Sequence, residues 1–124
     1  MRLDILTRTP ELLVMEQSYD ADAQGPPPHY HPSQDEHFEV LEGTIAAQIA
    51  GEDHVFGLGE AFDIPRGTVH TMGPHGGAPA RVRWEVRPAL RTEAFLTGLA
   101  ESASLEERLE HVRRYSDEFR LAGS

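Results

Sequence analysis

Two short runs of this chain gather the side chains that could do chemistry. The first, PPPHYHPSQDEHFEVLEG, spans Pro26 to Gly43 and holds His29, His31 and Glu36. The second, GEAFDIPRGTVH, spans Gly59 to His70 and ends on that histidine. Three imidazoles and one carboxylate are a complete donor set for a divalent transition metal. In extended backbone, alternate residues project from one face. His29 and His31 therefore point the same way, with Tyr30 opposite, and each can place a nitrogen about 2 Å from one ion. Glu36 follows a four-residue turn, PSQD, and adds an anionic oxygen; detached from an ion, it could serve as a base. His70 must arrive from a distant strand and close the site across the fold.

Taken singly, each residue has a plainer explanation. A His-x-His pair in a proline-rich segment is more often a surface feature than a ligand pair. Glu36 lies in the acidic run Asp35-Glu36-His37-Phe38-Glu39, where a solvated face suffices. A lone His70 is more often a hydrogen-bonded core histidine.

Little else in the chain is reactive. It has 124 residues, no Cys and no Lys; all eleven cationic side chains are Arg. Disulfides, a thiolate nucleophile, Cys-ligated zinc and lysine Schiff bases are thereby excluded. A net charge of −10 argues against a nucleic-acid partner, which requires concentrated positive charge. No apolar run approaches the roughly 20 residues of a membrane span. The opening MRLDILTRTP lacks the apolar core of a signal peptide, so a soluble, cytoplasmic protein is expected.

The elements that must carry these residues are mostly short strands. Strands are expected at Leu3 to Leu6, Leu12 to Tyr19, Phe38 to Leu41, Thr44 to Ala50, His54 to Leu58 and Val69 to Met72. Phe62 and Ile64 share a face in a further strand that Pro65 and Gly67 end. Residues 20–28 form a loop that three prolines straighten at its exit. Gly51-Glu52 is read as a tight turn and GPHGGAPA (73–80) as a mobile loop. From Ala80 to Val86 the alternation is clean: Val82, Trp84 and Val86 face one way, Arg81, Arg83 and Glu85 the other. The charged face is read as solvent-exposed, although an arginine lining a barrel could clamp a substrate carboxylate. Many short strands with Gly and Pro turns indicate an all-β sandwich or barrel. After Pro88 the pattern turns helical. Thr92 to Glu101 forms one helix, and Ser104-x-x-Glu107 is the capping box of a second. That second helix is expected to reach about Leu121, packing Leu105, Leu109, Val112 and Phe119 on the outside of the barrel. Residues 1–91 are thus the barrel, with motifs over 25–74, and 92–124 a helical extension of the same domain.

The two runs together resemble the cupin family. Its first motif reads Gly-x5-His-x-His-x3,4-Glu-x6-Gly, and His29, His31, Glu36 and Gly43 fit it. Its second reads Gly-x5-Pro-x-Gly-x2-His-x3-Asn, and Gly59, Pro65, Gly67 and His70 fit that. Ala23 replaces the leading glycine and Pro74 the closing asparagine; neither position is a ligand. The fifteen residues between Gly43 and Gly59 match the spacing of small single-domain cupins. The resemblance covers roughly residues 10–88. It implies a double-stranded β-helix, or jelly-roll barrel, with the C-terminal helices packed outside. It also implies one divalent metal inside, held by His29, His31, Glu36 and His70. Fe, Mn, Ni, Zn, Co and Cu all suit that donor set.

The resemblance implies a metal-dependent enzyme acting on an oxygen-bearing small organic molecule, as a dioxygenase or in a polyketide-cyclase or isomerase role. The alternative is a non-catalytic small-molecule-binding module with a structural metal. A roomy metal pocket would favour the first, a pocket plugged by aromatics the second. A third possibility, a metal-independent sugar-nucleotide epimerase relative, is opposed by the complete ligand set. Tyr30, Phe38, Phe56, Phe62, Met72 and Trp84 could line a pocket or fill the core. A homodimer is expected, with Leu3 to Leu6 available for exchange between subunits.

Overall fold

The computed structural model describes residues 2–123. Ten strands and two helices follow in order: β1 (Arg2–Arg8), β2 (Leu13–Tyr19), β3 (His29–Tyr30), β4 (Asp35–Glu42), β5 (Ile45–Ile49), β6 (Glu52–Phe56), β7 (Ala61–Ile64), β8 (His70–Pro74), β9 (Ala80–Arg87), α1 (Thr92–Glu101), α2 (Leu105–Arg114) and β10 (Arg120–Leu121). The strands form two five-stranded sheets, ordered β1-β2-β9-β4-β7 and β10-β3-β8-β5-β6. Every strand pairing is antiparallel. This is the expected jelly-roll barrel. No helix among the described residues is long and apolar enough to cross a membrane.

Period-two alternation builds the interior. On β9, Val82, Trp84 and Val86 are buried. On β4, Phe38 and Val40 are buried, and Glu36 shares their parity and their burial. Leu13 and Met15 from β2 meet Ile45, Ala47 and Met72 from the other sheet in one core. An aromatic column crosses it: Phe56 lies 4.1 Å from Phe62, Phe62 lies 5.1 Å from Phe38, and Phe38 lies 5.8 Å from Trp84, all stacked. These rings fill the core rather than line an open pocket. Arg81, Arg83 and Glu85 face outward, Arg81 pairing with Glu16 and Glu42 and Arg83 with Glu85, so none is a substrate clamp.

Gly43 illustrates why the motif needs glycine. Its φ is +73°, and an added Cβ would lie 2.3 Å from the Pro79 carbonyl oxygen. Gly25, two residues past the motif's usual position, packs against β8: a Cβ there would lie 2.1 Å from the Met72 carbonyl oxygen.

Three expectations need correcting. The hairpin joining β5 and β6 turns at Ala50-Gly51, so β6 starts at Glu52. β8 runs on to Pro74, because it pairs with β5 up to Ile45. The second helix ends at Arg114 rather than near Leu121. Its capping box forms as read: Ser104 Oγ accepts from Glu107 N at 3.1 Å, and Glu107 Oε2 accepts from Ala103 N at 2.8 Å. Its apolar stripe is not packed on the barrel, however. Leu105 is 72% exposed and α2 buries no residue. Phe119 is buried instead through a turn that brings the chain back to β3.

Candidate metal centre

β3 carries His29 and delivers His31 immediately after it; β8 opens with His70, and His29 and His70 are cross-strand partners. The second motif's turn is tied to the first, since Gly67 N donates to the His31 carbonyl at 2.9 Å. Asp35 reinforces this link by accepting from Arg66 N at 2.9 Å and from its guanidinium. Glu36 enters from the opposite sheet on β4, aligned with Ile64 and Val86. Two sheets and three strands thus bring together all four residues singled out in the sequence.

His29, His31 and His70 each offer a ring nitrogen, all within 4.8 Å of one another, and could hold a metal ion. Glu36 Oε1 lies 3.1 Å from Nε2 of His31 and 3.1 Å from Nε2 of His70. The tautomers follow from the surroundings. Nδ1 of His29 meets the Pro27 carbonyl at 3.0 Å, Nδ1 of His31 the Glu118 carbonyl at 2.6 Å, and Nδ1 of His70 the Thr68 carbonyl at 2.9 Å. A carbonyl can only accept, so each Nδ1 carries a proton, and in the neutral ring Nε2 keeps the lone pair that a metal would take. The carboxylate is fixed from behind, where Trp84 Nε1 donates to Oε2 at 2.7 Å. Oε1 is buried without a hydrogen-bond partner.

Lone pairs of neutral imidazoles and a bare carboxylate oxygen repel one another at 3.1 Å. A cation between them removes the conflict. Two donors about 2.1 Å from one ion and at right angles are about 3 Å apart, which is the spacing found. The residues therefore fit a metal.

The electrostatics agree. Burial, then the neighbouring His70 and His31, push His29 down to about 3, so it is neutral and a competent ligand near neutral pH. Burial alone would raise Glu36, but hydrogen bonding and charge from the His31 and His70 rings, which need a proton on Nε2 where a metal ion would otherwise sit, outweigh it and hold the carboxyl at about 2. Burial works against a proton on His31, yet the Glu36 carboxylate and the Glu118 carbonyl outweigh it and raise its pKa. Proton and metal ion thus compete for the same position beside Glu36.

Several contributing residues escaped the sequence reading. Trp84 was weighed only as core or pocket lining. Glu118 and Phe119 lie against the site: Phe119 stacks on His29 with centroids 4.5 Å apart. Gln17 and Tyr19 are buried on the inward face of β2, where the Tyr19 hydroxyl donates to Gln17 Oε1 at 2.8 Å. Burial first, and the Glu36 charge second, keep Tyr19 a neutral phenol. Their parity with Leu13 and Met15 was the available signal. Gln34, also buried, donates to the Pro88 and Ala89 carbonyls and to Thr92 Oγ1, anchoring the start of α1 beside the first motif. His37 pairs with Asp63 on the outer face, His75 is exposed, and His111 packs between α1 and α2; none joins the centre.

Comparison with known proteins agrees with this geometry. The Cupin domain family model matches residues 15–86. Tetracenomycin polyketide synthase protein TcmJ of Streptomyces glaucescens is 33% identical over 60 residues, covering 48% of this chain and 40% of that protein. The match thus spans well under half of that relative. Among solved structures, KdgF from Halomonas sp. superposes with a TM-score of 0.67 at 23% identity, covering 73% of this chain and 81% of its own. An RmlC-like cupin from Shewanella frigidimarina gives a TM-score of 0.67 at 21% identity, covering 73% and 78%. At these identities the two structures speak to the fold alone. With the barrel, both motifs in register and the family match over most of the strands, this chain belongs to the cupin family.

Proposed function

We propose that His29, His31, Glu36 and His70 hold one divalent transition metal, and that the protein is a metal-dependent enzyme acting on an oxygen-bearing small organic molecule. The observation that carries this reading is the partnerless Glu36 Oε1, buried and facing imidazole lone pairs at 3.1 Å. When bound, an ion there supplies Lewis acidity toward a carbonyl, enolate or carboxylate oxygen. The chain's own contribution is orientation. Three backbone carbonyls fix the imidazole tautomers and Trp84 fixes the carboxylate, as outer partners of metal ligands do. The role we give Glu36 is ligand rather than base, because a carboxyl held at about 2 accepts protons poorly at neutral pH. The local similarity to the tetracenomycin polyketide synthase protein TcmJ supports a polyketide-type, oxygen-bearing substrate. Leu6, half exposed on the edge strand β1, supports a homodimer.

A second reading has an observation of its own. Glu36 and His70 are each only 3% exposed, and Phe119 covers His29. That closure suits a binding module whose metal is structural. Elemental analysis of anaerobically purified protein, followed by turnover and oxygen-uptake screening with enolisable and phenolic substrates, separates the two. Bound metal with turnover supports the enzyme. Bound metal that only raises the melting temperature supports the module. Absence of bound metal removes both.

A further inference from the structure

Residues 115–122 lie against the candidate metal centre. β10 pairs with β3, the ligand-bearing strand: Arg120 opposes Tyr30 and Leu121 opposes His29. Ala122 N donates to the Pro28 carbonyl at 2.9 Å. Phe119 lies flat on His29, 4.5 Å between centroids at 19°, and meets His31 edge-on at 5.9 Å. The Glu118 carbonyl accepts a hydrogen bond from His31 Nδ1. Behind this contact, the Glu118 carboxylate is buried and held by Arg91, at 2.9 Å from Nη2, 3.2 Å from Nε and 3.3 Å from the backbone N. The Arg91 guanidinium also sits 4.7 Å above the Tyr115 ring.

The segment is closed, and its hold on the barrel is concentrated at Glu118 and Phe119. The preceding helix, α2, buries no residue. Backbone pairing to the barrel includes two residue pairs and the Ala122 bond. Within residues 115–122 only Glu118 and Phe119 are buried, so closure rests on these two side chains, and a segment anchored at so few points opens at lower free energy than the barrel strands. A molecule approaching the centre over His29 meets Phe119 first.

We propose that residues 115–122 form a cap on the metal centre, with Phe119 as the plug and the Arg91–Glu118 ion pair as the latch whose release admits a small molecule. Its purpose rests on the metal-centre reading above, but the cap itself is tested without metal. Removing Arg91 leaves a buried carboxylate without its cation, and burial of an unpaired charge is unfavourable, so the cap should open.

Trp84 is the sole tryptophan, is buried and touches Glu36. Its quenching by acrylamide therefore reads entry of a small neutral molecule to the centre. The expected result is a severalfold larger quenching constant in Arg91→Ala than in wild type. A Tyr30→Cys/Arg120→Cys pair, placed across the β3–β10 register, lies within the reach of a disulfide and is free of competing thiols. Oxidised, it should return the Arg91→Ala protein to wild-type quenching; reduced, it should release it again. The same pair on the Arg91 background gives the comparison should Arg91→Ala fail to fold, with oxidation lowering quenching below the reduced form. In zinc-loaded protein, extraction by a chelator should follow the same order, about tenfold faster with the latch broken. Equal quenching in the folded variants, oxidised and reduced, would overturn the cap. Failure to load zinc would overturn the metal centre instead, and the quenching would still decide the cap.

Discussion

Trp84 holds Glu36 from behind: its indole N–H meets Oε2 at 2.7 Å, which turns Oε1 toward His31 and His70. The two residues come from neighbouring strands, β9 and β4, and both face inward. Aim of the carboxylate therefore depends on a side chain that is not itself a ligand. Trp84→Phe keeps an aromatic ring against Phe38 and removes only the donor. Leaving a buried carboxylate oxygen without its hydrogen bond costs about 1–3 kcal/mol, and loss of such an outer partner weakens metal affinity about 10- to 100-fold. Metal titration and urea unfolding of the purified variant check both. An unchanged affinity would mean that Glu36 is oriented by something else.

Stability of the metal-free protein should fall on acidification. His29 has a pKa of about 3 in the fold against 6.5 for an ordinary imidazole. Between those values the unfolded chain binds a proton that the folded chain does not. Folding is therefore weakened as pH falls across that window, by up to about 1.4 kcal/mol per pH unit. Glu36, lowered from 4.5 to about 2, adds the same sign below pH 4.5. His31 opposes both: its raised pKa contributes stability that is complete below 6.5 and lost as pH rises through the raised value. The His31 contribution is therefore constant between pH 6 and 4, where His29, joined below pH 4.5 by Glu36, makes the melting temperature of chelator-treated protein drop. A flat melting profile there would place His29 in contact with water.

Arg83 and Glu85 lie on the outer face of β9, 3.5 Å apart, Arg83 exposed and Glu85 half-buried. Exposed pairs contribute about 0–1 kcal/mol. Arg83→Ala should leave metal affinity and turnover unchanged and move the unfolding midpoint only slightly. A loss of turnover at normal stability would return Arg83 to the binding surface.

Gly43→Ala should destabilise the barrel. The residue sits at φ +73°, and its new Cβ would meet the Pro79 carbonyl at 2.3 Å. Backbone strain of this kind costs about 1–3 kcal/mol, read as a lower urea midpoint. Wild-type stability would show that the turn relaxes freely.

The sequence made local patterns legible and left tertiary closure hidden. β9 was readable because period-two alternation reports burial directly, and Val82, Trp84 and Val86 obeyed it. His29 and His31 were readable as a pair because two-residue spacing sets a common face. Glu36 looked solvated among acidic neighbours, although its parity with Phe38 and Val40 pointed inward. The end of α2 was misplaced because Val112 and Phe119 continue a helical spacing across what is in fact a turn at 115–118. Phe119 is buried by His29 and Phe95, not by a helix neighbour. The contact between His31 and Glu118 joins residues 87 positions apart, and no local pattern encodes such a contact.

The decisive measurement is the stoichiometry and affinity of metal binding in wild type, Glu36→Gln and His70→Ala, each stripped with chelator and titrated with one divalent ion. Convergence of three imidazole nitrogens and one carboxylate oxygen on a single cation requires one ion per wild-type chain. It also requires binding at least about a hundredfold weaker in each variant, since removing a ligand costs more than removing its outer partner. A wild-type chain that takes up no ion, or folded variants that bind as tightly as wild type, would contradict it.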